Sequence, residues 1–175
     1  DCWYRVQEGL EMHASNGRGL WRINLGAARL LHPASGDLSI RTACSTLNGP
    51  ACGGLLIWQN SESYLRLDIG TGGSQEVFFA GCIQNKDAVI GRGRLPKPSS
   101  AVHLRMERTG ERVRALCSVD GEAWFTVGVT NFVAHDPVQV GLYANGEIDR
   151  VVHPGAYADG TAIRFLFFEQ QGSRR

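Results

Sequence analysis

The chain has no excess of charge of either sign: 18 Lys and Arg stand against 17 Asp and Glu, a net charge of +1. That leaves no electrostatic basis for binding nucleic acid or an anionic membrane. No apolar run approaches the roughly 18–20 residues needed to cross a bilayer, so no membrane insertion is expected. Helical periodicity is scarce, and its best candidate, residues 25–31 (LGAARLL), is one or two turns at most. Self-similarity at about 40–50 residues, the mark of a propeller blade, is missing too. So are a starting Met and a signal peptide, and the chain is expected to be an excised or processed part of a larger protein.

The five cysteines (Cys2, Cys44, Cys52, Cys82 and Cys117) include no CxxC pair and no zinc spacing. An odd, scattered set favours buried free thiols in a reducing compartment. The cytoplasm is therefore slightly favoured, while an extracellular location stays open if a leader was removed. A Cys44–Cys52 disulfide across a hairpin is the alternative.

What the sequence has is glycine, 22 of them, set as punctuation between short apolar runs. The clearest stretch is 104–127. Leu104, Met106 and Arg108 alternate with Arg105 and Glu107, the period of a half-buried strand. Gly110 supplies a turn, a second strand runs over 113–118, Asp120-Gly121 signals another turn, and 124–127 returns. Further strands are expected within 2–11 and at 20–23, 38–44, 53–59, 64–69, 76–82, 88–90, 138–142 and 162–168. The last, AIRFLFF, is expected to be central and well buried. In the hairpin 53–69 the register is open. Pairing Gln59 with Tyr64 puts Trp58 in the core, and a slip of one residue sends it to the other face. Trp3, Trp21, Trp58 and Trp124 are all expected in the core. Eleven or twelve strands with turns every 8–12 residues predict an all-β fold, one antiparallel two-sheet jelly-roll sandwich over residues 1–175.

Three pieces carry a family likeness: Gly54-Leu55-Leu56-Ile57-Trp58-Gln59 with Tyr64-Leu65-Arg66-Leu67, then 104–110, then Ser118-Val119-Asp120-Gly121-Glu122-Ala123-Trp124. They resemble the concanavalin A-like lectin/glucanase superfamily. More narrowly, they are similar to bacterial regulation-of-enolase-type domains and the C-terminal sandwich modules of some xylosidases. The resemblance spans most of the chain from about Arg29 and implies a jelly roll that binds glycans or sits beside a catalytic domain. The piece 118–124 is also similar to the Asp-box hairpins of sialidases, where the Asp ties the turn and the Trp packs beneath it.

Glucanases of this superfamily carry a Glu-x-Asp-x-x-Glu strand. The segment 147–153 has Glu147 and Asp149 but His153 in the last place, so the second carboxylate of a retaining hydrolase is lacking. No catalytic residue is assigned. The histidines are too scattered for a triad, and no Ser sits in a nucleophile elbow. Metal sites at His135 and Asp136, or at Asp68 and Asp37, have no supporting spacing; calcium is the candidate ion if there is one. The ligand-binding candidates are Arg41, Tyr64, Arg66, Asp68, Arg105, Glu107 and Tyr143, which alternate against core positions. Aromatic faces and paired charged groups suit sugars. The alternative for the same residues is a solvated face laced with ion pairs, Arg66 or Arg105 against Asp68 or Glu107. The expected role is a non-catalytic, carbohydrate-binding accessory domain whose partners are a glycan and neighbouring domains of the same chain. A protein-docking domain comes second and a glycoside hydrolase last.

Overall fold

The computed structural model describes residues 2–47, 52–71, 75–95, 99–147 and 160–172. Their strands form two antiparallel sheets. The seven-stranded sheet has the order β1 (Trp3–Gln7), β2 (Gly9–Ala14), β13 (Thr161–Gly172), β4 (Leu38–Thr46), β9 (Val102–Thr109), β10 (Arg112–Ser118), β11 (Phe125–Asn131). The six-stranded sheet has the order β3 (Ala28–Ala34), β12 (Val138–Asn145), β5 (Cys52–Asn60), β6 (Ser63–Ile69), β7 (Glu76–Ile83), β8 (Lys86–Arg94). This is the jelly-roll sandwich that the strand spacing predicts.

Alternation builds the core. Ile40, Leu104, Met106, Ile163 and Phe165 face inward from one sheet, and Leu55, Ile57, Leu65, Leu67, Phe79 and Val140 from the other. At one side the edge strands β8 and β11 nearly touch. A Cβ on Gly91 would lie 2.1 Å from the Val127 carbonyl oxygen, so only glycine allows that closure. The meander β9–β10–β11 lies where the alternation puts it. Gly110 turns the first corner at φ 56°, and Gly121 the second at φ 80°.

The second corner is held by Asp120. Its Oδ1 accepts hydrogen bonds from the amides of Glu122 (2.8 Å) and Ala123 (3.0 Å) and from the Ser118 hydroxyl (2.9 Å). Trp124 donates its indole N–H to the Gly121 carbonyl at 3.1 Å. The Glu122 and Ala123 amides, with Ser118, depress the Asp120 carboxyl to about 2. Its contribution to stability is therefore complete above the unfolded value near 4 and disappears as pH falls towards 2. Urea unfolding between pH 5 and 2 should show Asp120→Asn losing less stability with acid than the parent chain.

Five expectations are corrected. Residues 20–23 are not a strand: Trp21 and Asn24 form an isolated bridge closing a tight turn. Residues 25–31 hold no helix, because from Ala28 onward the chain is β3, paired residue for residue with β12. The described strands number thirteen. None of the four tryptophans is fully buried, and Trp3 is 47% exposed. The β5–β6 register pairs Trp58 with Tyr64, so Trp58 lies on the outer face, stacked on Tyr64 at 5.1 Å between ring centroids. β13 is central in its sheet, yet only part of its Phe-rich run is buried. The expected turns at 49–50, 72–73, 96–98 and 155–159 lie outside the described residues.

Candidate functional site

Alternation along β6 sends Leu65, Leu67 and Ile69 into the core and Tyr64, Arg66 and Asp68 to the outer face of the six-stranded sheet. Tyr143 of β12 joins them. In register it sits opposite Gly54, which in turn sits opposite Asp68. Gly54 presents no side chain between the two. The Tyr143 hydroxyl reaches over β5 and donates to Asp68 Oδ2 at 2.5 Å. Arg66 Nη1 donates to the same oxygen at 2.6 Å and to Tyr143 Oη at 3.2 Å. Thr71 donates to Asp68 Oδ1 at 2.5 Å.

This outer face is not solvated. Tyr64, Arg66, Asp68 and Tyr143 are all 0% exposed. The loop 15–27, between β2 and β3, lies over them. Its Leu20 and Ala27 pack with Leu56, Tyr64, Cys82 and Tyr143 into a second, smaller apolar cluster. The Trp21 ring lies 4.0 Å from the Arg66 guanidinium carbon, and Phe78 lies 5.4 Å from it. Burial draws the Arg66 pKa down, but Tyr143 and Asp68 more than offset this and keep it charged. Burial lifts the Asp68 carboxyl above its ordinary range, against the lowering pull of Arg66, Thr71 and Tyr143. Burial and the Asp68 charge hold the Tyr143 hydroxyl protonated, as its donor role requires.

Among the described residues, three polar atoms of this cluster have no hydrogen-bond partner: Nε and Nη2 of Arg66 and the hydroxyl of Tyr64. Nε and Nη2 form one edge of the guanidinium, two parallel donors suited to a pair of oxygens. An orphaned buried donor costs about 1–3 kcal/mol.

Arg41, Arg105 and Glu107 lie elsewhere, on the outer face of the seven-stranded sheet. Arg41 bonds Glu169 at 2.6 Å, and Glu107 joins Arg105 and Arg114, each at 2.5 Å. Arg105 also lies 5.8 Å from the Trp124 ring. These are part-exposed pairs, two across strands and Arg105–Glu107 along β9, each worth about 0.2–1 kcal/mol. Farther along this face, Glu11 is clamped between Arg164 and Arg5, which together lower its carboxyl. The seven candidates thus divide four to three between two sheets. Both ion pairs of the alternative reading, Arg66–Asp68 and Arg105–Glu107, are formed. Trp21, Thr71 and Phe78 touch this cluster and were not among the candidates from the sequence. Trp21 stood out as an aromatic, but nothing local linked it to Arg66.

Among the described residues no group of three or more His, Cys, Asp or Glu is placed to hold a metal. Asp136 is engaged by Gly36 and Arg108, and Asp37 by Gly110. Of the segment 147–153 only Glu147 is described. Cys44 and Cys52 lie on opposite sheets as free thiols, as do the other three cysteines. Burial lifts the Cys52 thiol to about 12.

A two-sheet jelly roll with this strand order defines a concanavalin A-like domain. The model of the β-xylosidase C-terminal concanavalin A-like domain matches residues 9–149, and the chain belongs to that family. No curated protein sequence matches the chain. Among solved structures, a functionally unknown protein from Saccharomyces cerevisiae aligns with TM-score 0.77 and 12% identity over 99% of this chain and 93% of its own. Xylan β-1,4-xylosidase from Bacillus halodurans aligns with TM-score 0.70 and 14% identity, covering 97% of this chain but 34% of the xylosidase. The carbohydrate-binding module CBM66 from Bacillus subtilis aligns with TM-score 0.60 and 12% identity over 98% and 92% of the two chains.

Proposed function

We propose that this chain is a non-catalytic, carbohydrate-binding accessory domain that holds its ligand on the outer face of the six-stranded sheet, at Tyr64, Arg66, Asp68 and Tyr143. The observation that carries this reading is the edge of Arg66 that has no partner among the described residues, buried like the Tyr64 hydroxyl and next to the rings of Trp21 and Phe78. Directed donors next to aromatic faces are what a sugar ring requires. The Bacillus subtilis module, alike over nearly its whole length, supports the ligand class. The xylosidase, of which this chain matches a third, supports a place beside a catalytic domain of a longer protein. Within the cluster Asp68 is the one carboxylate, and its oxygens are occupied, whereas glycoside hydrolysis needs a working pair.

A glycan array with the domain, run with calcium and with chelator, tests this. Binding is expected in both conditions and lost in Arg66→Lys and Tyr64→Phe, with no reducing sugar released. A silent array, or turnover, overturns the reading.

A second reading, docking to a neighbouring domain, is favoured by a different place in the molecule. β1 is exposed on both faces, and Trp3, Tyr4, Val6, Leu30 and Leu166 leave apolar surface in water. Beside them an apolar groove of about 410 Å³ runs between β2, β3 and β13. Such a patch fits a protein contact. Tyr4→Ser with Val6→Ser should leave the fold and the glycan array unchanged while weakening association with the rest of the parent protein. Unchanged association removes this reading.

A further inference from the structure

The loop 15–27 is built to hold its own shape. Arg18 N–H donates to Ser15 O (3.1 Å), Trp21 and Asn24 exchange both main-chain bonds (2.9 and 2.8 Å), and Ala27 N–H donates to Gly19 O (2.8 Å). The Asn24 side chain ties Gly17 and Gly19 together from inside. This is the character of an Ω-loop, a compact unit packed on itself. Among the described residues, two main-chain bonds tie residues 18–22 to the rest of the molecule. Gly146 N–H donates to Arg18 O at 2.8 Å, and Arg22 N–H donates to Asp87 Oδ1 at 2.9 Å. Neither belongs to a strand ladder. The loop can therefore leave the sheet as one body; among the described residues this breaks those two bonds, the Arg22–Asp87 ion pair and the Arg29 bond to the Leu25 carbonyl, and unpacks Leu20, Trp21, Leu25 and Ala27.

What it covers has a definite chemistry. The charge of Arg66 is already matched by Asp68, so a carboxylate placed on the free edge would bury a second, unmatched negative charge. Two uncharged oxygens on neighbouring carbons satisfy Nε–H and Nη2–H without that cost, and a third hydroxyl falls to Tyr64. In the closed form the indole of Trp21 lies 4.0 Å from the guanidinium carbon, in space that a sugar bound to this side chain would need.

We infer that the loop 15–27 is a lid over a site for the vicinal hydroxyl pair of an uncharged sugar, with Arg66 and Tyr64 as donors and Trp21 in the sugar's place when closed. This rests on the carbohydrate reading above and adds the sugar's charge class and the way in. Because the closed state competes with ligand, apparent affinity scales with the open fraction.

Two measurements separate the two ideas. The first is alkylation by iodoacetamide, mapped by mass spectrometry. Cys2 is exposed and labels at once; Cys82 lies under the lid; Cys44 and Cys117 lie in the main core. In the parent chain Cys82 should label at least tenfold faster than Cys44 and Cys117, and Leu20→Ala should speed Cys82 alone by a further tenfold or more. If Leu20→Ala does not fold, Trp21→Ala, at the half-buried tip, serves instead. Equal rates for Cys82, Cys44 and Cys117 overturn the lid.

The second is titration with neutral xylo-oligosaccharides and their glucuronate-bearing counterparts. Tighter binding of the neutral set by Leu20→Ala, by a factor near its gain in Cys82 labelling, supports the whole inference. Binding that is indifferent to Leu20→Ala removes the lid and leaves the carbohydrate reading. Fast Cys82 labelling with no sugar bound removes the carbohydrate reading and leaves a moving loop. Binding of the glucuronate set alone overturns the uncharged assignment.

Discussion

Arg66→Met should cost the fold about 3–5 kcal/mol in urea unfolding, the usual penalty for removing one partner of a buried ion pair. The side chain is wholly buried, and among the described residues its loss leaves Asp68 with the hydroxyls of Thr71 and Tyr143. The double change Arg66→Met with Asp68→Leu should recover most of the loss, because it also removes the charge left unpaired. The single variant should also depend on pH in a definite direction. Burial already holds the Asp68 carboxyl above its ordinary range, and without Arg66 the lowering pull weakens. A carboxyl with a raised folded pKa binds its proton more readily folded than unfolded, so its deficit is largest at neutral pH and shrinks as pH falls towards 4. A loss below about 1 kcal/mol, with no recovery in the double variant, would show that the pair is solvated and the roof over it open.

That roof was the part of the site the sequence could not reveal. Period-2 alternation correctly separates Tyr64, Arg66 and Asp68 from Leu65, Leu67 and Ile69, and even the Arg66–Asp68 pairing can be named from spacing alone. Alternation assigns a face, however, and a face turned away from one core need not meet water. Loop 15–27 covers it from some forty residues away in sequence, through Leu20 and Trp21, and no local pattern encodes such a contact. The same limit explains Arg41, Arg105 and Glu107. They obey the same period on other strands, and period does not tell which of two sheets a strand joins.

Misread elements have local causes as well. The stretch 25–31 is rich in Ala, Leu and Arg, good helix formers, yet pairing with β12 overrides propensity. Pro33, just beyond it in β3, is the clue: β3 is the first strand of its sheet, and an edge strand tolerates a residue with no N–H to give. Trp58 depended on one register step, which the irregularity between Trp58 and Asn60 decides.

The same device governs the closing strand, where it gives a sharp contrast. Phe165→Ala should cost about 3–5 kcal/mol, whereas Phe167→Ala should cost no more than about 1 kcal/mol. Strict alternation would put the two rings on one face and make them equivalent. The ladder with β4 instead shifts between Phe165 and Phe167. Phe165, 1% exposed, stays in the main core with Ile163, while Phe167 turns outward against His103 and Arg41. Phe168 then points back to pack against the core. A run of three Phe in four residues thus serves both faces of a central strand, and its ends grip different neighbours. Before the shift β13 pairs with β2 and β4 together, and beyond Phe165 with β4 alone. Equal losses from the two alanine variants, read from chemical unfolding midpoints at one pH, would place both rings inward and remove the bulge. Unequal losses in the stated order fix the face of every residue from Phe167 to Gly172, including Glu169, whose bond to Arg41 follows from that shift.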